Sequence, residues 1–210
     1  MAGASAHPLL GVLDRAADGR FPAVDGVVEV LPPDRVGTWA IAEFTGHAFV
    51  LTARSPGDEV FERVDAFGGV TRPRFVLELA GDDAVIGSHD MVLVRRGGSA
   101  ATALPVVTHF DDHPRVRRAR HHRRDVRVLG DERGLVTIGT GLAGRTELSV
   151  EVVSGDPGTG AGRELILGGL ADVPTGTRVF AQVAPGNAAS VRAFLACGFI
   201  PIGSEILIDR

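Results

Sequence analysis

The sequence predicts a mixed α/β (α+β) fold, in which a mostly antiparallel sheet with helices on both faces follows a smaller α/β domain. Three observations favour this. Short Val-, Ile- and Phe-rich runs alternate with helical patterns along the chain. Three consecutive strand patterns between residues 126 and 153 are typical of an antiparallel meander. The Gly- and Ala-rich stretch Arg95 to Ala103 lacks periodicity, so we expect domains over 1–100 and 101–210.

The first domain begins with a helix and continues as short strands and helices, and its role is open. Val27 to Leu31 and Trp39 to Thr52 have strand composition, with a break at Thr45-Gly46, and together they predict a meander. The acidic residues after Pro56 predict a helix start near Asp58. The remaining predicted elements are the helices Pro8 to Ala17 and Pro73 to Leu79 and the strand Met91 to Val94.

The second domain alternates strands and helices more regularly. Its predicted strands are Leu104 to Thr108, Val126 to Gly130, Leu135 to Gly139, Thr146 to Val153, Arg178 to Val183 and Phe199 to Ile208. Its predicted helices are Pro114 to Arg124, Arg163 to Leu170 and Asn187 to Cys197.

The composition predicts a folded, water-soluble protein and excludes several chemistries. Hydrophobic residues make up 44% and charged residues 23%, and no apolar run approaches the roughly 20 residues that span a membrane. One cysteine and no apparent secretory signal lead us to expect the cytoplasm. Without lysine or tyrosine, Schiff-base chemistry and a tyrosine acid are excluded. The net charge of -4 gives no general attraction to nucleic acid.

A glycine-rich turn, Gly158 to Arg163, follows one predicted strand and opens a helix. Such turns let the free N–H groups of a helix start approach an anion. A P-loop is excluded because it requires lysine, and the glycine spacing does not match the dinucleotide fingerprint. Two alternatives stay open: a site for the pyrophosphate of coenzyme A, or a turn that binds nothing.

The segment Val179 to Gly203 supports the coenzyme. It contains a strand, an Asn187-Ala188-Ala189-Ser190 helix start and a closing Gly198-Phe199 before the next strand. With the glycine-rich turn about 25 residues earlier, this segment resembles the signatures of the GNAT superfamily of N-acetyltransferases over Leu104 to Ile208. Phe44 to His47 and Pro114 to Arg120 also resemble stretches of actinobacterial members with unknown substrates.

The resemblance implies a binding site for acetyl-CoA as co-substrate and a small-molecule or protein amine as acceptor. Two parallel strands, Thr146 to Val153 and Arg178 to Val183, would separate and hold the pantetheine arm like an added strand. An amide there would stabilise the developing oxyanion. For Asn187 and Ser190, a helix cap is the open alternative. The implied coenzyme-binding residues are Val150, Val152, Gly158, Thr159, Gly160, Ala161, Gly162, Arg163, Asn187 and Ser190.

Two positions depart from the family pattern. Pro157 stands where the family loop usually has Arg or Gln, and it offers no side-chain charge and no N–H. Phe194 stands where a tyrosine often protonates the leaving thiolate. A non-catalytic coenzyme A sensor or interaction module is therefore the alternative to an N-acyltransferase.

Three side chains are candidate bases. Glu147 and Glu151 lie four residues apart on one face of a strand, and we favour Glu151 because it is nearer the expected acyl group. A solvated or salt-bridged face is the alternative for both. His47 could serve as a base from the first domain, although a turn histidine without that role is the stronger interpretation.

The run Arg115 to Arg124 contains six arginines and could meet RNA, the phosphates of the coenzyme or an acidic substrate. It has no aromatic residue to stack on bases, which argues against nucleic acid, and we favour a solvated helix face paired with acidic residues. The histidine pairs lack dependable ligand spacing, so we predict no metal. A membrane partner is not expected, and a homodimer stays open.

Overall fold

The computed structural model describes residues 6–34, 37–154 and 159–210, and over these residues the fold is mixed α+β. The described helices are α1 (Pro8–Ala17), α2 (Pro73–Ala80), α3 (Pro114–His122), α4 (Ala161–Ala171) and α5 (Ala188–Ala196). The strands are β1 (Val28–Leu31), β2 (Thr38–Phe44), β3 (His47–Leu51), β4 (Val85–Arg96), β5 (Arg124–Asp131), β6 (Gly134–Thr140), β7 (Thr146–Val152), β8 (Arg178–Val183) and β9 (Ile200–Asp209).

The chain forms two compact units. Unit 1 contains Met1–Val92 and Ile202–Arg210, and unit 2 contains Leu93–Pro201. The unit boundaries therefore fall at 92/93 and 201/202, whereas we predicted one boundary at 100/101. The chain end belongs to unit 1 because β9 pairs with β2 from Thr38 opposite Asp209 to Glu43 opposite Ser204.

Unit 1 has the strand order β1-β3-β2-β9-β4. The turn at Thr45-Gly46 joins β2 and β3 as an antiparallel hairpin, as the sequence predicts. The predicted meander is wrong, because β1 lies beside β3 and runs parallel to it. The apolar faces of α2, β2, β3 and β9 share one core, formed by Trp39, Ile41, Ala48, Val50, Ala66, Val70, Phe75, Val76, Leu79, Ala80, Ile206 and Ile208.

Unit 2 has the strand order β4-β8-β7-β6-β5, in which β5, β6 and β7 are antiparallel and β8 is parallel to β7. Helix α3 covers β5 and β6 through a core of Val116, Val128 and Leu135. Helix α4 packs closely on β6 and β7: a Cβ added at Gly169 would lie 2.7 Å from Val136 Cγ1 and 3.3 Å from Leu148 Cδ1. The glycine thus permits the close approach of helix and sheet.

Three local predictions are corrected by the structure. Leu104 to Thr108 is not a strand but contributes one isolated bridge from Val106 to Leu129, and Pro105 has no N–H for a ladder. Asp58 precedes a single 3₁₀ turn, Glu59–Phe61, and makes no side-chain cap. β4 begins six residues before the predicted Met91, because its first half is polar and partly exposed and lacks an apolar pattern. Within the described ranges, no helix has the length and apolar character needed to cross a membrane.

Candidate functional site

The strands β7 and β8 pair only where they begin. Their paired residues are Thr146 with Val179 and Glu147 with Phe180. On its other edge, β7 pairs with β6 over its full length. The described residues of β7 from 148 to 152 therefore have no registered partner on β8. We call the space beside Leu148–Val152 and Ala181–Val183 the β7–β8 gap, with a closed end at Glu147 and an open end at Val152.

The open end leads to the first turn of α4. Gly160 is the N-cap residue with a φ of 90°, and among the described residues no side chain caps the helix. The amides of Ala161, Gly162 and Arg163 are the first in the helix and have no intrahelical acceptor. A Cβ added at Gly162 would lie 3.5 Å from Val152 Cγ2, so this turn lies next to the end of β7. Thr159 is exposed, whereas Gly158 and Pro157 lie outside the described residues.

Helix α5 follows β8, and its first residues act as a cap. Asn187 Oδ1 accepts a hydrogen bond from the Ser190 amide at 3.1 Å, which is the capping role left open by the sequence. The Asn187 side-chain amide and the Ser190 hydroxyl are then the groups that a ligand could meet. Phe194 is buried and packs edge-on against Phe199 at 4.9 Å, so this position supplies no proton donor.

Glu147 lies at the closed end in a buried ion cluster. Its Oε2 accepts a hydrogen bond from Arg123 Nε at 2.6 Å, and its Oε1 accepts from Arg145 Nε at 2.8 Å and the Leu142 amide at 3.2 Å. Burial raises the pKa of Glu147, but the charges and hydrogen bonds of Arg145 and Arg123 outweigh it and hold that pKa below its ordinary value. Glu147 is thus a poor proton acceptor with both oxygens engaged.

The turn before β7 encloses this carboxylate. A Cβ added at Gly141 would lie 2.1 Å from the Glu147 carboxyl carbon, and only glycine leaves that space. The Arg145 side chain is completely buried and stacks over the Phe180 ring at 5.6 Å. The closed end of the gap is therefore packed as well as charge-paired.

Arg123 connects the strands on both sides of the gap. Its Nη1 lies 3.2 Å from Thr137 Oγ1 on β6 and 3.3 Å from Ser149 Oγ on β7. Its Nη2 donates to Gln182 Oε1 on β8 at 3.4 Å. The Gln182 Nε2 atom is shielded from solvent and has no hydrogen-bond acceptor among the described residues.

Glu151 lies at the open end and is half-exposed. Arg115 Nε and Nη2 donate to its Oε2 at 3.0 and 2.9 Å, and each side chain is 36% exposed. No hydrogen bond reaches Oε1 within the described part of the chain. Of the two predicted bases, Glu151 is therefore the one with an oxygen available to a ligand.

Two further arginines of the run are engaged within unit 2. Arg120 pairs with Asp111, and Arg117 donates to the backbone oxygen of Asp112. Together with the Arg115–Glu151 pair, these contacts fit the predicted paired face, except that Arg123 is buried. In unit 1, His47 is buried and its ring nitrogens contact Asp25 Oδ1 at 2.9 Å and Glu29 Oε1 at 3.1 Å, so neither nitrogen is left for a substrate.

Sequence reasoning missed Arg123, Arg145 and Gln182 as members of the site. Gln182 carries a usable signal, because it is a polar residue inside the apolar strand Arg178–Val183. A buried polar side chain on a strand requires a partner. Arg145 is only two residues from Glu147, so that contact is local, whereas the contact of Arg123, which is 24 residues from Glu147, follows only from the fold.

No protein-family model and no curated protein matches this sequence. Among solved structures, the chain is similar to one described as a GCN5-related N-acetyltransferase from Kribbella flavida. The two are 11% identical, with 99% of this chain and 96% of that chain covered, at a TM-score of 0.47.

Proposed function

We propose that this chain is an N-acyltransferase of the GNAT type, which transfers an acetyl group from acetyl-CoA to an amine. The observation that carries the proposal is the β7–β8 gap. Parallel strands that pair over two residues and then separate offer free backbone groups along β7. An extended ligand such as the pantetheine arm can bind them as an added strand would.

The first turn of α4 is the proposed binding site for the pyrophosphate of the same ligand. Its uncapped amides and the positive end of the helix dipole suit a pyrophosphate. Val152 lies beside that turn, so an arm that starts at the phosphates enters the open end of the gap. Backbone groups of Val150 and Val152, together with Asn187 before α5 and Ser190 in its first turn, complete the proposed coenzyme site.

Glu151 is the proposed proton acceptor for the attacking amine, and because it lies at the open end of the gap whereas the acyl group would lie toward the closed end, we propose that the proton reaches it through water. No hydrogen bond from the described residues engages its Oε1, and the guanidinium of Arg115 fixes the carboxylate through Oε2. Glu147 is instead proposed as a structural group that holds Arg123, in place of the direct catalytic role suggested by the sequence. No tyrosine is present, so water is the proposed proton source for the thiolate.

The test is coenzyme binding by the wild type and by two variants at Gly162. A ligand that binds only the folded state raises the melting temperature, by about 2.7 kcal/mol of stability at one hundred times Kd. Gly162→Asp places a negative charge at the proposed phosphate site, whereas Gly162→Asn adds nearly the same volume without charge. The site has room, since the nearest neighbour of an added Cβ within the described residues is Val152 Cγ2 at 3.5 Å.

We expect CoA to stabilise the wild type and Gly162→Asn but not Gly162→Asp. An acidic residue in the first turn also favours the helix itself, so unfolding would not explain a loss of response. An unmoved wild-type transition at millimolar CoA would overturn the proposal. If CoA raised the melting temperature of all three proteins equally, the phosphates would have to bind somewhere other than the start of α4.

The second candidate is a coenzyme A-binding module without catalysis. It is favoured by Phe194, which is buried and has no hydroxyl group, and by the ion pairs that engage both glutamates of β7. Consumption of the acetyl-CoA thioester in the presence of an amine panel separates the candidates. Stabilisation by CoA without turnover supports the module.

A further inference from the structure

Gln182 lies near the closed end of the β7–β8 gap. It comes two residues after Phe180, the last residue of β8 that pairs with β7. Because side chains alternate along a strand, Gln182 and Phe180 lie on the same face. This is the face of the ion cluster, since Arg145 stacks on Phe180 and Arg123 contacts Gln182. Polar groups therefore lie on both sides of the gap: Ser149 and Glu151 on β7 and Gln182 on β8.

The orientation of the Gln182 amide is fixed by Arg123. Guanidinium groups only donate hydrogen bonds, so the atom 3.4 Å from Arg123 Nη2 is the carbonyl oxygen Oε1. Arg123 is itself held by Glu147, Thr137 and Ser149. The NH₂ end of the amide therefore points away from the guanidinium.

That NH₂ group is the unusual feature. Nε2 is shielded from solvent and has no acceptor in the part of the chain that the structure describes. Buried donors are almost always satisfied by protein, by ordered water or by a ligand, so an unsatisfied one at a ligand site is available to an acceptor atom that arrives with the ligand. At the closed end, the atoms of the proposed ligand are those farthest from its phosphates, which are the acyl group and the sulfur.

We infer that Gln182 is a catalytic residue whose Nε2 donates a hydrogen bond to the acyl carbonyl oxygen, with Arg123 as its positioning residue. This inference rests on the proposed transferase function. In the reaction, the amine nitrogen bonds to the acyl carbon while the C–S bond breaks. The proton that the amine loses passes through water to Glu151, and water supplies a proton to the departing thiolate. Negative charge grows on the carbonyl oxygen meanwhile, and a preoriented donor stabilises it.

Composition makes this inference directly testable by NMR. The chain contains one glutamine, Gln182, and one asparagine, Asn187, so only two side-chain NH₂ pairs appear in a ¹⁵N correlation spectrum. The spectrum of Gln182→Glu assigns them, because one pair disappears. Acetyl-CoA has the acyl carbonyl and CoA lacks it, and each ligand is titrated separately into the protein.

We expect the Gln182 pair to shift with acetyl-CoA and to shift much less with CoA. The Asn187 pair is the internal control and should respond equally to both. If neither ligand moves any resonance, the proposed function itself fails. If both move the α4 amides but the Gln182 pair does not distinguish them, the role of Gln182 is overturned and coenzyme binding survives.

Kinetics of the same variant supply the second test. Gln182→Glu keeps an oxygen for Arg123 and replaces the NH₂ donor with a second carboxylate oxygen, which also adds a negative charge. An unchanged melting temperature is the check that the fold persists. Loss of one oxyanion donor lowers turnover about 10²- to 10³-fold. We expect that loss in kcat, with CoA affinity nearly unchanged. Wild-type turnover in this variant would overturn the inference, and a loss confined to KM would assign Gln182 to binding.

Discussion

The two ends of the β7–β8 gap contain the same kind of residue in opposite environments. Glu147 and Glu151 lie on one face of β7, four residues apart, and each contacts arginine. Glu147 is buried, and both of its oxygens accept hydrogen bonds. Glu151 is 36% exposed and is held by one arginine through one oxygen.

The contrast shows that residue type and position on a strand face do not determine whether a carboxylate is a structural group or a proton acceptor. The number of donors and the degree of burial decide it, because each hydrogen bond to the charged form occupies a lone pair and lowers the pKa. Glu147 therefore fits a role in holding the strands and Arg123. Glu151 retains an accessible oxygen, which fits the proposed proton transfer.

The largest expected effect is the loss in free energy of unfolding when the Glu147 carboxylate at the closed end is neutralised. Glu147→Gln leaves two guanidiniums at a buried site without their carboxylate, and breaking a buried pair in this way costs about 3–5 kcal/mol. The matched control, Glu151→Gln, should change stability by less than about 1 kcal/mol, since exposed pairs contribute little. Urea unfolding of both variants measures the contrast. Equal losses would erase the distinction between the two ends.

A smaller effect is expected when the turn over Glu147 is crowded. Gly141→Ala places a methyl group 2.1 Å from the Glu147 carboxyl carbon, and the carboxylate cannot move without losing its arginines. Overpacking of this kind costs about 1–3 kcal/mol. Gly186→Ala is the control, because a Cβ there has no heavy atom within 4 Å and should change stability by less than about 0.5 kcal/mol. A fully stable Gly141→Ala would show that the closed end has space.

The sequence predicts the elements around the gap better than the contacts across it. β8 has the predicted bounds, and β7 differs only by the loss of Val153; in unit 1, α1 also has the predicted bounds. These segments have strong apolar periodicity or clear Pro and Gly boundaries, which are local signals. The first half of β4 has no such signal, and the order of β1 and β3 depends on pairing between distant segments.

In the candidate site too, local features could be predicted from the sequence and contacts between distant segments could not. The Gly-rich start of α4 and the cap at Asn187 are local features, and the structure describes both apart from residues 155–158. The ion cluster joins Arg123, which follows α3, with Glu147 on β7 and Arg145 in the turn before it. The spacing of Arg145 and Glu147 is local, but no spacing in the sequence reveals that Arg123 joins them. Arg115 and Arg123 belong to one run of arginines, yet one is half-exposed and the other is almost completely buried.

The smallest expected effect concerns the open end. A double-mutant cycle with Arg115→Gln and Glu151→Gln should give a coupling energy of about 0.2–1 kcal/mol, because both side chains are partly hydrated. The coupling should fall further in 1 M salt, where the screening length is about 3 Å. Stability measured by urea at low and high salt provides the values. A coupling above about 2 kcal/mol that resists salt would mean that Glu151 is locked as firmly as Glu147, and its proposed role as the proton acceptor would then have to be given up.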